Sequence, residues 1–368
     1  MKIKILQVFF IAAFLFAVVK VGASASTLAE SNADASGLIE EFNRAVYDEC
    51  GIDTEKIITE GGIGLDAFFG EAASVIQGYT GQLLPFFLTV LGFAVLIEVS
   101  SAASFSSVLT KTKTQSAILV LFSTVAFPQL ETVFTAVAES LESVISFFGV
   151  AMPVMTAITA ASGSVNSAAI QAMNMNILLG SVGSVAVSLL IPLSRCMLTL
   201  ALVSSLGDNG VYRIASSIKT LFTFGLGMVS AVSSAIIALQ SIIAGARDSA
   251  ALRAARYAVG GLIPVVGSSV SGALSTLAGG LAYAKSTVGA SAIMVILLLA
   301  LTPLLLMLLF RLSFSVALFL LEFCGNVGGV RCFSAFKTAI DSVISVYVMS
   351  IIVCIVQFVV FMKGGASI

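Results

Sequence analysis

Long apolar runs with short polar interruptions fill the chain from residue 83 onward, and they predict helices of membrane-crossing length. Leu83 to Val99 is the first, with Pro85 near its start and Glu98 at its end. The positive-inside rule places the following polar stretch, with Lys111 and Lys113, in the cytoplasm. Ala117 to Leu130 is apolar but shorter than the roughly 20 residues a crossing needs, so it tilts, pairs with the next segment, or re-enters. Glu131 to Phe148 reads as an amphipathic helix: Glu131, Glu139 and Glu142 share one side, and Phe134, Val137, Leu141 and Ile145 the other. Two readings stand for it, an interfacial helix with a wet face or an acidic face lining a pore.

The apolar pattern continues through Met152-Pro153 into Ala160-Ala-Ser-Gly-Ser-Val-Asn-Ser-Ala-Ala169, too small and polar to face lipid. Gly163 and Ser167 have the small-xxx-small spacing that lets helix backbones approach. Ile177 to Leu206 is interrupted by Pro192 and Arg195, as one kinked helix or two half-helices. Ile218 to Ala244 is long enough to cross, and a basic helical turn from Arg247 to Arg256 follows. The Gly/Ser-rich stretch from Gly260 to Gly280, which holds Gly261, Pro264 and Gly267, suits a broken or re-entrant helix lined by protein or water. Val288 to Phe310 is an ordinary span ended by Arg311, and Leu312 to Phe323 stays apolar up to Glu322. Gly325 to Cys332 forms a polar break before a last span, Val343 to Met362. The expected fold is all-α and polytopic, with six to eight crossings and broken Gly/Ser-rich helices.

Residues 1–25 look like a signal peptide: Lys2 and Lys4, an apolar run, then Ala23-Ser-Ala25 as the cleavage site. An uncleaved anchor is the other reading, and either one exports the adjoining segment. Residues 26–81 form that short exported segment, in which Leu38, Ile39, Phe42 and Val46 recur at helical spacing. It predicts two or three short amphipathic helices on the membrane surface or against partners, too small to fold alone. Residues 82–368 are the polytopic membrane domain.

Composition agrees and narrows the chemistry. Hydrophobic residues make up 58% and charged residues 10%, with a mean hydropathy of +1.10; a soluble surface needs more charge. Between Glu30 and Glu71 eleven acids face two bases, whereas from Gln77 onward thirteen bases face eight acids. No Lys/Arg run suggests nucleic acid. The chain has no histidine, which removes Ser-His-Asp and histidine-metal chemistry, and its five cysteines form no CxxC. Asp208, Asp248 and Asp341 read as lying in or beside turns, and no phosphate-binding glycine loop is present. We expect no enzyme activity, metal or cofactor. Glu98, Arg195, Arg311 and Glu322 remain as charges in apolar sequence that snorkel, pair, or serve function. Candidate conduit or packing residues are Gly163, Ser167, Arg195, Gly260, Gly261, Pro264, Gly267 and Glu322.

Three stretches together resemble the stage III sporulation protein AE family: the Ala160–Ala169 run, Arg253-Ala-Ala-Arg-Tyr-Ala-Val-Gly-Gly-Leu-Ile-Pro-Val-Val-Gly267, and Val330-Arg-Cys332. The layout of leader, short exported segment and polytopic region agrees. The resemblance implies a membrane subunit of a channel or secretion-like complex in the mother-cell-derived membrane around the forespore. It implies partners too: other stage III sporulation membrane proteins, among them an ATPase-like subunit and ring-forming subunits, and a forespore-made protein; the Gly/Ser-rich broken helices would pack against such partners or against further copies of the chain. The rival expectations are a stand-alone secondary transporter using Arg195 or Glu322, and a membrane scaffold with no pathway.

Overall fold

A computed structural model describes residues 36–50, 65–102, 108–161, 165–182, 191–204 and 267–363, with isolated positions at 52, 54 and 186–188 and between 217 and 231. Its elements are α1 (Ser36–Cys50), α2 (Leu65–Ala102), α3 (Val108–Ala161), α4 (Val165–Val182), α5 (Ile191–Ser204), α6 (Gly267–Phe323) and α7 (Val327–Lys363). No strand occurs among the described residues. The leader, the basic turn at 247–256, most of the 218–244 run, and Gly163, Gly260, Gly261 and Pro264 lie outside them.

Four of these helices contain stretches long and apolar enough to cross a membrane: Leu83–Ala102, Lys113–Ala161, Thr287–Phe323 and Val327–Val359. Several segments that the sequence divides are continuous. Residues 117–130, 131–148 and 150–161 are one helix, α3, with Pro128 and Pro153 inside it. Proline removes one backbone hydrogen bond, but in an apolar bundle neighbouring groups hold the remaining ladder. Likewise α2 runs unbroken across residues 81–82 and carries Leu65 and the first span together. The expected break at 267–280 is helical throughout, as the first turns of α6. By contrast, the run from 177 to 206 is two helices, with α5 opening on Ile191-Pro192, where a proline's missing amide is harmless.

The expected polar break at 325–332 shrinks to a three-residue turn, Cys324–Asn326, before α7 begins. Gly325 has φ +76°, a conformation that glycine adopts without a Cβ penalty. Its amide donates to the Glu322 carbonyl and that of Asn326 to Leu321, both at 3.1 Å, so the end of α6 is capped by its own turn. Asn326 then starts α7: its Oδ1 accepts from the Gly329 amide at 2.9 Å, and its carbonyl from Val330 at 3.0 Å.

Cross-contacts set the directions. Phe122 stacks on Phe333 with ring centroids 4.3 Å apart, Ser140 reaches Tyr347, and Phe148 meets Phe358 at 4.8 Å, so α3 runs parallel to α7. Helix α6 returns antiparallel to both, and α2 follows α6 through Phe86 against Phe310 at 4.2 Å. Phenylalanines gather in two places. A distal cluster near the α6–α7 turn joins Phe86, Phe122, Phe314, Phe333 and Phe336. A proximal one joins Phe42, Phe147, Phe148 and Phe358.

Helix α1 belongs to the proximal cluster. Its amphipathic face, with Phe42 and Val46 fully buried, packs on α3 and α6 of its own chain, where the sequence suggested the membrane surface or a partner. Burying such side chains contributes about 2 kcal/mol each, which gives a segment too small to fold alone a surface to fold on.

Candidate functional site

Between the two aromatic clusters the bundle is crossed by a polar layer. On α7, Asp341 lies mid-helix, roughly 22 Å from Asn326 at 1.5 Å per residue. The sequence put Asp341 in or beside a turn; the short hairpin shifts it into the bundle. There it pairs with Arg311 of α6 through the guanidinium Nε. The neighbouring Ser342 hydroxyl contacts Met197 Sδ on α5 at 3.6 Å. Two residues earlier on α5, Arg195 Nε lies 2.8 Å from Glu131 Oε1 of α3. Arg195 also donates from Nη2 to Thr135 Oγ1 at 3.1 Å, and Thr135 donates to the Glu131 carbonyl at 3.0 Å. Two arginine–carboxylate pairs from four helices thus share one cross-section.

Both pairs are about one-third exposed. Such placement suits the physics: an isolated charge at bilayer depth costs several kcal/mol, and a partner or contact with water offsets it.

A second polar contact lies about two turns deeper. Pro303 in α6 has no amide, so the Leu299 carbonyl loses its helical donor. The Ser140 hydroxyl of α3 reaches that carbonyl at 3.1 Å and the Tyr347 hydroxyl of α7 at 2.8 Å. One side chain thereby repairs the proline defect and ties three helices together. Beside it lies a cavity of about 250 Å³, lined by Glu139, Ser140 and Ser143 on one side and Leu299, Thr302 and Pro303 on the other. Among the described residues, no three metal-binding side chains converge.

Of the residues singled out from sequence, Arg195 is in this layer. Glu322 is not: it is exposed at the end of α6, roughly 16 Å along the helix from Arg311. Ser167 lies in the first turn of α4, and Gly267 is the first residue of α6. Sequence reasoning did not single out Glu131 as the partner of Arg195, nor Asp341, Thr135, Ser140 and Tyr347. A signal existed for the carboxylates alone, since acids are scarce in the apolar sequence after residue 83; Asp341 is the one acid within α7, whereas α3 also holds Glu139 and Glu142.

These features define a polytopic helical membrane protein whose charged side chains pair across helices inside the bundle. The model of the family described as stage III sporulation protein AE matches residues 45–365, and the chain belongs to that family. It is similar to Stage III sporulation protein AE of Bacillus subtilis (strain 168), 23% identical over 279 residues that cover 76% of this chain and 69% of the relative. No solved structure matches. The family gives the chain a role in sporulation.

Proposed function

We propose that the chain is a membrane subunit of a channel or secretion-like complex linking mother cell and forespore, supporting late forespore gene expression. The observation that carries this reading is family membership across residues 45–365, in a bundle whose interior charges pair with one another. On this reading it works in the mother-cell-derived membrane around the forespore and catalyses no reaction. Its partners are other stage III sporulation membrane proteins, with an ATPase-like subunit supplying energy, ring-forming subunits, and a forespore-made protein across the gap.

The transporter reading loses weight because Arg195 is neutralised by Glu131 and Glu322 lies at a helix end, so the two form no common site. The test is depletion of the protein in a sporulating host, scored by a late forespore reporter and by recovery of the other stage III membrane proteins with a tagged copy. Loss of reporter signal after normal engulfment, with stoichiometric co-purification, is expected. Full reporter activity without the protein would refute the role, and purification of the chain alone would favour a transporter.

A further inference from the structure

Two of the carboxylates in the bundle are matched, Glu131 by Arg195 and Asp341 by Arg311. Glu139, about two turns along α3 from Glu131, pairs with no arginine or lysine among the described residues. It lines the cavity of about 250 Å³ between α3 and α6. On the α3 side Ala136, Glu139, Ser140 and Ser143 follow one another at i, i+3, i+4 and i+7, so they share a face. Three of the four are small and lie across from Pro303, which leaves room where the two helices would otherwise interlock.

The hydroxyl hydrogens of that face are already committed. Ser143 donates to the Glu139 backbone carbonyl at 3.0 Å. Ser140 donates to the Leu299 carbonyl at 3.1 Å. A hydroxyl has one hydrogen, so in the 2.8 Å contact between Ser140 and Tyr347 the phenol is the donor. Both serine oxygens keep a lone pair, and the ionised Glu139 carboxylate accepts only. No lysine or arginine lines the cavity. Its α3 wall therefore presents negative charge and hydrogen-bond acceptors.

Such a wall selects a cation that brings its own donors. A divalent ion gathers six or more oxygens, usually with several carboxylates, and one carboxylate lines this space. A primary ammonium instead carries three N–H donors. The opposite wall, with Leu299, Pro303 and Leu306, suits a short alkyl body.

We infer that the cavity binds a primary alkylammonium group, its nitrogen held by Glu139 with Ser140 and Ser143 and its alkyl chain against α6. A free amine and the end of a lysine side chain from another protein share this chemistry. Such binding requires nothing of the conduit reading.

The test uses the full-length protein in detergent and in phosphate buffer free of amines. The probe is n-butylammonium chloride, and the control is butyltrimethylammonium chloride, which has the same charge and no N–H. The probe should raise the unfolding midpoint saturably. Its affinity should exceed the control's by roughly tenfold or more, the worth of one charge-assisted hydrogen bond. Glu139→Gln should abolish the shift, and Glu142→Gln, outside the cavity, should keep it. Ala136→Leu, which fills the space, replaces Glu139→Gln if that variant does not fold. Carbodiimide coupling in membranes of sporulating cells separates the two sources. A protein adduct that depends on Glu139 and is suppressed by n-butylammonium identifies a lysine; its absence, with n-butylammonium binding intact, identifies a free amine. No shift, equal shifts from both cations, or a full shift in Glu139→Gln overturns the assignment.

Discussion

Replacing Ser140 by alanine tests how the proline in α6 is tolerated. The hydroxyl serves two groups at once, the Leu299 carbonyl at 3.1 Å and the Tyr347 hydroxyl at 2.8 Å. Leaving a buried polar group without a partner costs about 1–3 kcal/mol. Water held in the adjacent cavity of about 250 Å³ can serve one of the two groups in the variant. The expected loss for Ser140→Ala is therefore about 2 kcal/mol, towards the low end for two groups.

The origin of the effect is checked by adding Pro303→Ala, which returns an amide to the Leu299 carbonyl. In that background Ser140→Ala should cost about 1 kcal/mol less, a coupling within the range seen between contacting residues. Unfolding in detergent can be followed by a thiol-reactive dye, since Cys332 and Cys354 are buried while Cys196 and Cys324 are exposed. The measurement uses a Cys50→Ser, Cys196→Ser, Cys324→Ser background, so that the dye reads opening of α7. Strictly additive effects of Ser140→Ala and Pro303→Ala would show that Ser140 does not compensate for the proline.

Other substitutions probe the remaining features. Arg195→Glu should destabilise the bundle and Glu131→Arg in the same chain should restore it; at one-third exposure the pair is worth about 1 kcal/mol, and absence of rescue by thermal unfolding would mean that the two side chains do not pair. Gly325→Ala should cost about 1 kcal/mol because the turn holds φ at +76°, with Gly325→Asn milder; equal stability of all three would deny the strained turn. Gln357 is 2% exposed and its amide has no hydrogen-bond partner among the described residues, so Gln357→Leu should stabilise by about 1 kcal/mol. A loss of stability there would reveal a partner for the amide.

Much of the helical layout is legible in the sequence because bilayer-length apolar runs admit few other structures. The spans beginning at Leu83, Val288 and Val343 fall inside α2, α6 and α7, and the Phe42/Val46 face of α1 is the one that packs. Continuity was not legible. The boundary between residues 130 and 131 and the 267–280 glycines read as breaks by local propensity, which tertiary packing overrides in a bundle. The polar layer was half visible: Arg195 stood out as costly in apolar sequence, but its partner is named only by packing. The Ser140–Tyr347 contact joins residues 207 apart, a separation at which no periodicity carries information.

That separation governs how the protein is made. Helix α3 rests on α7 along its length, from Ser123 beside Cys332, 209 positions later, to Phe148 against Phe358. At ribosomal rates, roughly 10–40 s pass between synthesis of the two surfaces. Throughout that interval Phe122, Phe147 and Phe148 lack the helix that buries them. The growing chain must shield them with lipid, with its own earlier helices, or with a chaperone, and a product truncated before α7 keeps them uncovered. Correct burial of these side chains therefore waits on α7, which emerges long after the first crossing has been committed to the membrane.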